Sequence, residues 1–221
     1  NISIENISGS INFNEHLGAI NLNRLSGDLD LNSSYGDVVV HNSDLFSNIY
    51  LKSHSLTLKN LLGESNITIL KGNIFINSFE GSLNIFSTIG LIELNDINGK
   101  NINCKTSSAK VKGSHIISDL VINSNDGDIQ LKEVVGVCNV KTTNGDLFIE
   151  DSKGSFSCIT SSGNITLKEI SGNSNAESYF GNIYLESIND SSVKNTFHNI
   201  STVEGDINLE IPKNISISLI T

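Results

Sequence analysis

The sequence predicts an all-β fold: a parallel β-solenoid, or β-helix, of about twelve coils of ~18 residues with two main strands per coil. Three observations carry that prediction. A Gly-Asp or Gly-Asn pair recurs every eighteen residues at Gly127, Gly145, Gly163 and Gly181, with a second glycine nine residues on at Gly136, Gly154 and Gly172. Between glycines, apolar and polar residues alternate over about five positions, as in a half-buried strand bounded by turns. Residues eighteen apart share one chemical character.

The third observation decides between architectures. Parallel strands joined by very short turns cannot form a βαβ sheet, which needs long crossovers. A solenoid meets both demands, because each coil pairs with the next at a spacing of about 4.8 Å and the rod reaches roughly 55–60 Å. Its inward columns are Ile129, Leu147, Ile165, Ile183 and Leu131, Ile149, Leu167, Leu185 on the first strand. On the second they are Ile102, Leu120, Cys138, Phe156 and Cys104, Ile122, Val140, Cys158, Ala176. Outside, Lys132, Glu150, Lys168 and Glu186 alternate in sign, which favours parallel, in-register stacking because like charges would repel. Thr106, Ser124, Thr142, Thr160, Ser178 and Thr202 each precede a coil opening by three residues, where a hydroxyl can bond turn backbone.

Taken in order, the beat starts at once. Gly9, Gly18, Gly27 and Gly36 each precede an apolar pair: Ile11/Phe13, Ile20/Leu22, Leu29/Leu31 and Val38/Val40. Between Asp44 and Ser65 the pairs Ile49/Leu51, Leu56/Leu58 and Ile67/Ile69 are spaced irregularly, which predicts lengthened and shortened turns. The beat returns at Gly72, Gly81, Gly90 and Gly99, and one residue is gained near Lys100. After Gly181 the next Gly-Asp comes at Gly205, so six extra residues fall in a longer loop over Asn189–His198. Ile211-Pro212 closes the following strand, and Ile215, Ile217 and Leu219 predict a final one. No linker or charge block interrupts the chain, so residues 1–221 are expected to form a single domain. The chain opens at Asn1 inside the repeat, as an excerpt of a longer protein would, and a leader or anchor upstream is expected.

Composition fits this shape. In 221 residues there are 18 Gly, one Pro and neither Trp nor Met, with 38% hydrophobic residues and a mean hydropathy of −0.04. A solenoid needs only a narrow apolar stripe along its length. A net charge of −10 and a pI near 4.8 argue against nucleic acid as a partner. Arg24 is the one arginine, which disfavours bidentate anion clamps. No run is long enough for a membrane span and no signal-peptide core is visible. Asn32-Ser-Ser, Asn66-Ile-Thr and Asn164-Ile-Thr are sequons of the kind an Asn- and Ser-rich chain produces by chance.

Catalytic, cofactor and metal residues are expected to be none. Asp128, Asp146, Asn164 and Asn182 form a corner column, with Asp28, Asp37 and Asp206 elsewhere, but one acid or amide per nine residues supplies too few oxygens for calcium. These residues read as Asx corners, with side chains bonding the turn backbone. Cys104, Cys138 and Cys158 occupy inward positions as small hydrophobes, and no histidine adjoins them. His16, His41, His54, His115 and His198 lie in turns and share no column, so no oriented nucleophile–base pair is suggested. A flat threonine array for binding ice does not fit, because the threonine column sits at a corner. Gln130, Phe148, Thr166 and Tyr184 form an outward column whose aromatics are a candidate contact surface.

The repeated T/S-x-x-G-D/N-I-x-L pattern, at Thr142–Ile149, Thr160–Leu167 and Ser178–Leu185, resembles the bacterial adhesin family of β-strand-repeat domains, which has eukaryotic relatives. The resemblance spans nearly the whole chain, more loosely over Asp44–Ser65. It implies a right-handed solenoid, often joined to an anchor or leader, and carries no catalytic residues. The expected function is a non-enzymatic structural or adhesive module that presents an elongated face to an unknown macromolecule, either protein or cell-surface polymer. The alternatives are a polysaccharide-active β-helix enzyme and an intracellular scaffold. The adhesin resemblance points to the cell surface, whereas three unpaired thiols point inward.

Overall fold

The computed structural model describes residues 1–188 and 196–212, apart from the side chains of Glu15 and His16. The chain winds as an all-β, parallel-strand solenoid of about ten turns, somewhat fewer than the twelve expected. The strands are β1 (Ile2–Ser8), β2 (Ile11–Leu17), β3 (Ile20–Tyr35), β4 (Val38–Leu51), β5 (Leu56–Lys71) and β6 (Ile74–Ser124). They continue as β7 (Ile129–Asn144), β8 (Leu147–Ser162), β9 (Ile165–Phe180), β10 (Ile183–Ser187), β11 (His198–Glu204) and β12 (Ile207–Glu210). One sheet runs β1-β3-β4-β5-β6-β7-β8-β9-β10-β12, with β2 on β3 and β11 on β9.

Among the described residues every inter-strand pairing is parallel, and the register is eighteen residues from Ile2↔Ile20 to Leu185↔Leu167, apart from local shifts at His16↔Ser33 and Ser187↔Ile170 and one coil of nineteen. One coil shows why these residues adopt this path. Ile129, Leu131, Val134, Cys138, Val140 and Thr142 all point inward and are at most 2% exposed. Gly145 opens the next coil with φ 146°, and there the strand ends. The corner nine residues earlier, at Gly136, bends the strand without ending it, because Gly136, Gly154 and Gly172 pair with one another across three coils. The two expected strands of a coil are therefore one bent strand, sixteen residues long in β7, β8 and β9.

A further corner falls between them. Asn6, Arg24, Asn42, Asn60, Ser78, Asp96, His115, Glu133, Asp151 and Glu169 all have φ between 50° and 58°. Left-handed backbone at a non-glycine residue is uncommon, and short polar side chains tolerate it best. The glycine beat carries no trace of this column.

The irregular stretch Asp44–Ser65 is corrected by the register. Leu45↔Gly63 and Leu51↔Ile69 are eighteen apart, so no turn lengthens or shortens. Ser47 and Ser65 simply replace apolar residues in an inward column. Both are at most 1% exposed, and the Ser47 hydroxyl donates to Ser65 Oγ at 2.7 Å. One hydroxyl satisfies the other, which lets two polar groups sit in the core.

Other length changes fall where expected. Asn103 bonds Asn84 and Ser114 bonds Asn95 at separations of nineteen, which places the extra residue near Lys100. Ile183↔Ile207 and His198↔Ser174 are twenty-four apart, which places the six extra residues between them. His198 itself begins β11 rather than belonging to the loop. Most of the Asn189–His198 loop, and the predicted strand at Ile215, Ile217 and Leu219, lie outside the described residues.

Candidate interaction face

The sequence supplies each coil with an outward strand segment, residues 130 and 132 in the coil of β7, that stacks on its equivalents. Lys132↔Glu150 and Glu150↔Lys168 are direct register partners. Lys168 Nζ lies 2.8 Å from Glu150 Oε1, and Lys132 Nζ lies 3.7 Å from Glu150 Oε2 and 3.3 Å from Asp151 Oδ2. The predicted charge ladder is therefore present on one face from Lys132 to Lys168, while Glu186 falls at a register shift and has Glu210 as its partner in β12. The Lys168 hydrogen bond holds the Glu150 carboxyl below its usual range, and Glu150 in turn raises Lys168.

Beside this ladder runs the left-handed corner column, and there like charges meet. Asp151 and Glu169 are neighbours one coil apart in this column, and hydrogen bonding between the two carboxyls is the main influence that lowers Asp151 and raises Glu169. His115 Nε2 lies 2.7 Å from Glu133 Oε2, and its Nδ1 lies 3.6 Å from Asp96 Oδ1. His115 thus shares this column with four acids, Asp96, Glu133, Asp151 and Glu169. Only the corner register brings these residues together.

The corner Asp and Asn side chains act between coils. Asp146 N–H donates to Asp128 Oδ1, Asn164 N–H to Asp146 Oδ1, Asn182 N–H to Asn164 Oδ1, and Asp206 N–H to Asn182 Oδ1, at 2.7–3.2 Å. The expected Asx corner fastened its own turn. Here each side chain fastens the same turn one coil on, where strand pairing lapses and an N–H needs an acceptor. The corner nine residues away carries the same device: Asp119, which follows Ser118 in the column of Gly136, accepts Val137 N–H at 3.1 Å. The hydroxyl column bonds turn carbonyls as predicted. Thr142 donates to Asn144 O, Ser178 to Gly163 O and Thr202 to Gly181 O.

Gln130, Phe148, Thr166 and Tyr184 line an open depression of about 550 Å³ on the ladder face. Phe148 and Tyr184 are half-buried rather than fully exposed. Tyr184 Oη donates to Glu186 Oε2 at 3.4 Å, and burial is the main cause that raises its phenol. A second depression of about 420 Å³ adjoins it through Gln130 and Phe148 and reaches Glu93 and Lys112.

The remaining candidates are placed as follows. Cys104, Cys138 and Cys158 are free and buried, and burial pushes the Cys104 and Cys138 thiols up to about 12 and Cys158 well above its ordinary value. His198 Nε2 meets Ser187 Oγ at 3.1 Å, a pair that the linear sequence hides. Ser187 is 4% exposed, and His198 Nδ1 is buried with no partner among the described residues to orient the ring. A hydrolytic triad needs both access and that orientation.

A model of the Toastrack DUF4097 family matches residues 66–220. The chain belongs to that family. No curated protein and no solved structure matches it. The Toastrack match begins inside β5, yet the eighteen-residue register extends through the coils before it, back to Ile2↔Ile20, with one local shift at His16. It supports the solenoid part of the expected resemblance, a domain of unknown function with a solenoid-like fold, and carries no adhesive role with it. Among the described residues no helix is long and apolar enough to cross a membrane.

Proposed function

We propose that the chain is a non-enzymatic structural module that presents its ladder face to another macromolecule, with adhesion as the specific form of that contact. The observation that carries this reading is the in-register face from Glu93 to Asn208, where two adjoining depressions follow one outward column. A bent strand with both neighbours hydrogen-bonded is a rigid platform, and rigid platforms lose little entropy on binding.

Photo-crosslinking tests the proposal. A benzophenone side chain at Thr166, on the ladder face, is expected to capture a macromolecule that the same label at Asn84, in a different outward column, does not. Equal capture at both positions, or at neither, contradicts it.

A further inference from the structure

The larger depression has a composition that narrows the partner, given the reading of this face as a contact surface. Phe148 and Tyr184 occupy one outward column two coils apart, so they stand about 9.6 Å apart along the rod. Thr166 lies between them and leaves a gap bounded by two aromatic side chains. Along the border run Asn182, Asp206 and Asn208, all exposed. Asn182 spends its Oδ1 on Asp206 N–H, and its amide N–H groups donate to none of the described residues.

Three features exclude the commoner ligands. Among the described residues no Lys, Arg or His lines this depression, whereas Asp146 and Asp206 do, so a polyanion meets carboxylates without a countercharge. The backbone here is already paired coil to coil, as in Tyr184↔Thr166 and Tyr184↔Asn208, so an extended peptide cannot add itself as a strand. The lining has no arginine, and its aromatics are half-buried on a shallow surface, unlike the deep desolvated anchors of tight protein interfaces.

What the lining does offer is aromatic surface for apolar C–H faces, and amides, a threonine hydroxyl and carboxylates for hydroxyl groups. We infer that this depression binds a neutral polysaccharide segment lying along the rod axis, with sugar rings over Phe148 and Tyr184 and hydroxyls directed to Asn182 and Asp206. Two aromatics in one column, rather than one, suit a polymer with a regular repeat.

Affinity electrophoresis of the whole chain in gels containing dextran, a mixed-linkage β-glucan, a mannan or a xylan tests this, with polygalacturonate as the charged comparison. The inference expects retardation by at least one neutral polymer. Phe148→Ala and Tyr184→Ala are each expected to weaken it at least tenfold, while Phe86→Ala, in a different outward column, leaves it intact. Thr166→Glu places a charge in the gap without removing any packing, and it too is expected to abolish retardation, which keeps the test decisive if an aromatic variant misfolds.

Retardation by none of the neutral polymers, or by polygalacturonate alone, overturns the inference. So does retardation that survives Tyr184→Ala and Thr166→Glu, or that Phe86→Ala removes equally. A protein crosslinked at Thr166, with no polymer retarding the chain, would overturn the polysaccharide while leaving the contact-surface reading in place.

Discussion

At Gly154 the backbone φ is 145°, and a Cβ built there would lie 1.9 Å from the Gly136 carbonyl oxygen of the preceding coil. Both the torsion and the close approach require glycine, so Gly154→Ala is expected to cost at least about 3 kcal/mol, measured by chemical denaturation. The same corner column holds Leu45 and Ser118, neither of which has a positive φ, so the coil tolerates another residue only by changing torsion. The buried Ser47–Ser65 pair makes a different test. Ser47→Ala leaves the Ser65 hydroxyl without its partner and is expected to cost about 1–2 kcal/mol. The double variant Ser47→Ala/Ser65→Ala should cost less than the two singles combined, and a double-mutant cycle reads that coupling. Such residues also mark where the sequence was hard to read. Two serines in an apolar column hid the register of Asp44–Ser65, because hydrophobic alternation has no way to signal a hydroxyl that is satisfied by its neighbour.

On the scale of the strand, the ladder depends on alternation. Glu150→Lys would line up three lysines at 132, 150 and 168, and it is expected to lower Tm in low salt, less so in high salt. Adding Lys168→Glu to that variant should recover only part of the loss, because Lys132 still faces a lysine at position 150. Acid titration separates the two kinds of carboxyl. Glu150, depressed by Lys168, contributes stability that is present above the ordinary value of 4.5 and lost as pH falls through its folded value. Glu169, raised by its bond to Asp151, contributes stability that is present below 4.5 and lost as pH rises through its folded value. In Tm-against-pH curves, Glu150→Gln should flatten the decline below 4.5, and Glu169→Gln should flatten the change just above it. The ladder was legible because Lys and Glu alternate at a fixed interval of eighteen. The acidic column beside it was not, because Asp96, His115, Glu133, Asp151 and Glu169 are united only by a left-handed torsion. The corner Asp and Asn residues were recognised as fasteners, but the target of their bonds lies one coil away, and that distance appears only when coils are stacked.

The whole molecule is a rod in which each coil contacts mainly its two neighbours, so its length and its faces follow from repetition. Sequence periodicity carried that architecture, including the nineteen-residue coil near Lys100 and the six-residue expansion after Ser187. The proposed binding face was visible in outline as the column of Phe148 and Tyr184, while its depression and its border of amides and carboxylates needed the stacked coils. The central claim is that this column advances by one strand spacing per turn, and pulsed electron spin resonance tests it directly. With one spin label at Asn21 and a second at Glu93, Thr166 or Asn208, four, eight and ten coils away, the account predicts distances near 19, 38 and 48 Å, growing linearly with coil number. Distances that fail to grow with coil number, or that place Asn208 nearer to Asn21 than Thr166 is, would contradict it.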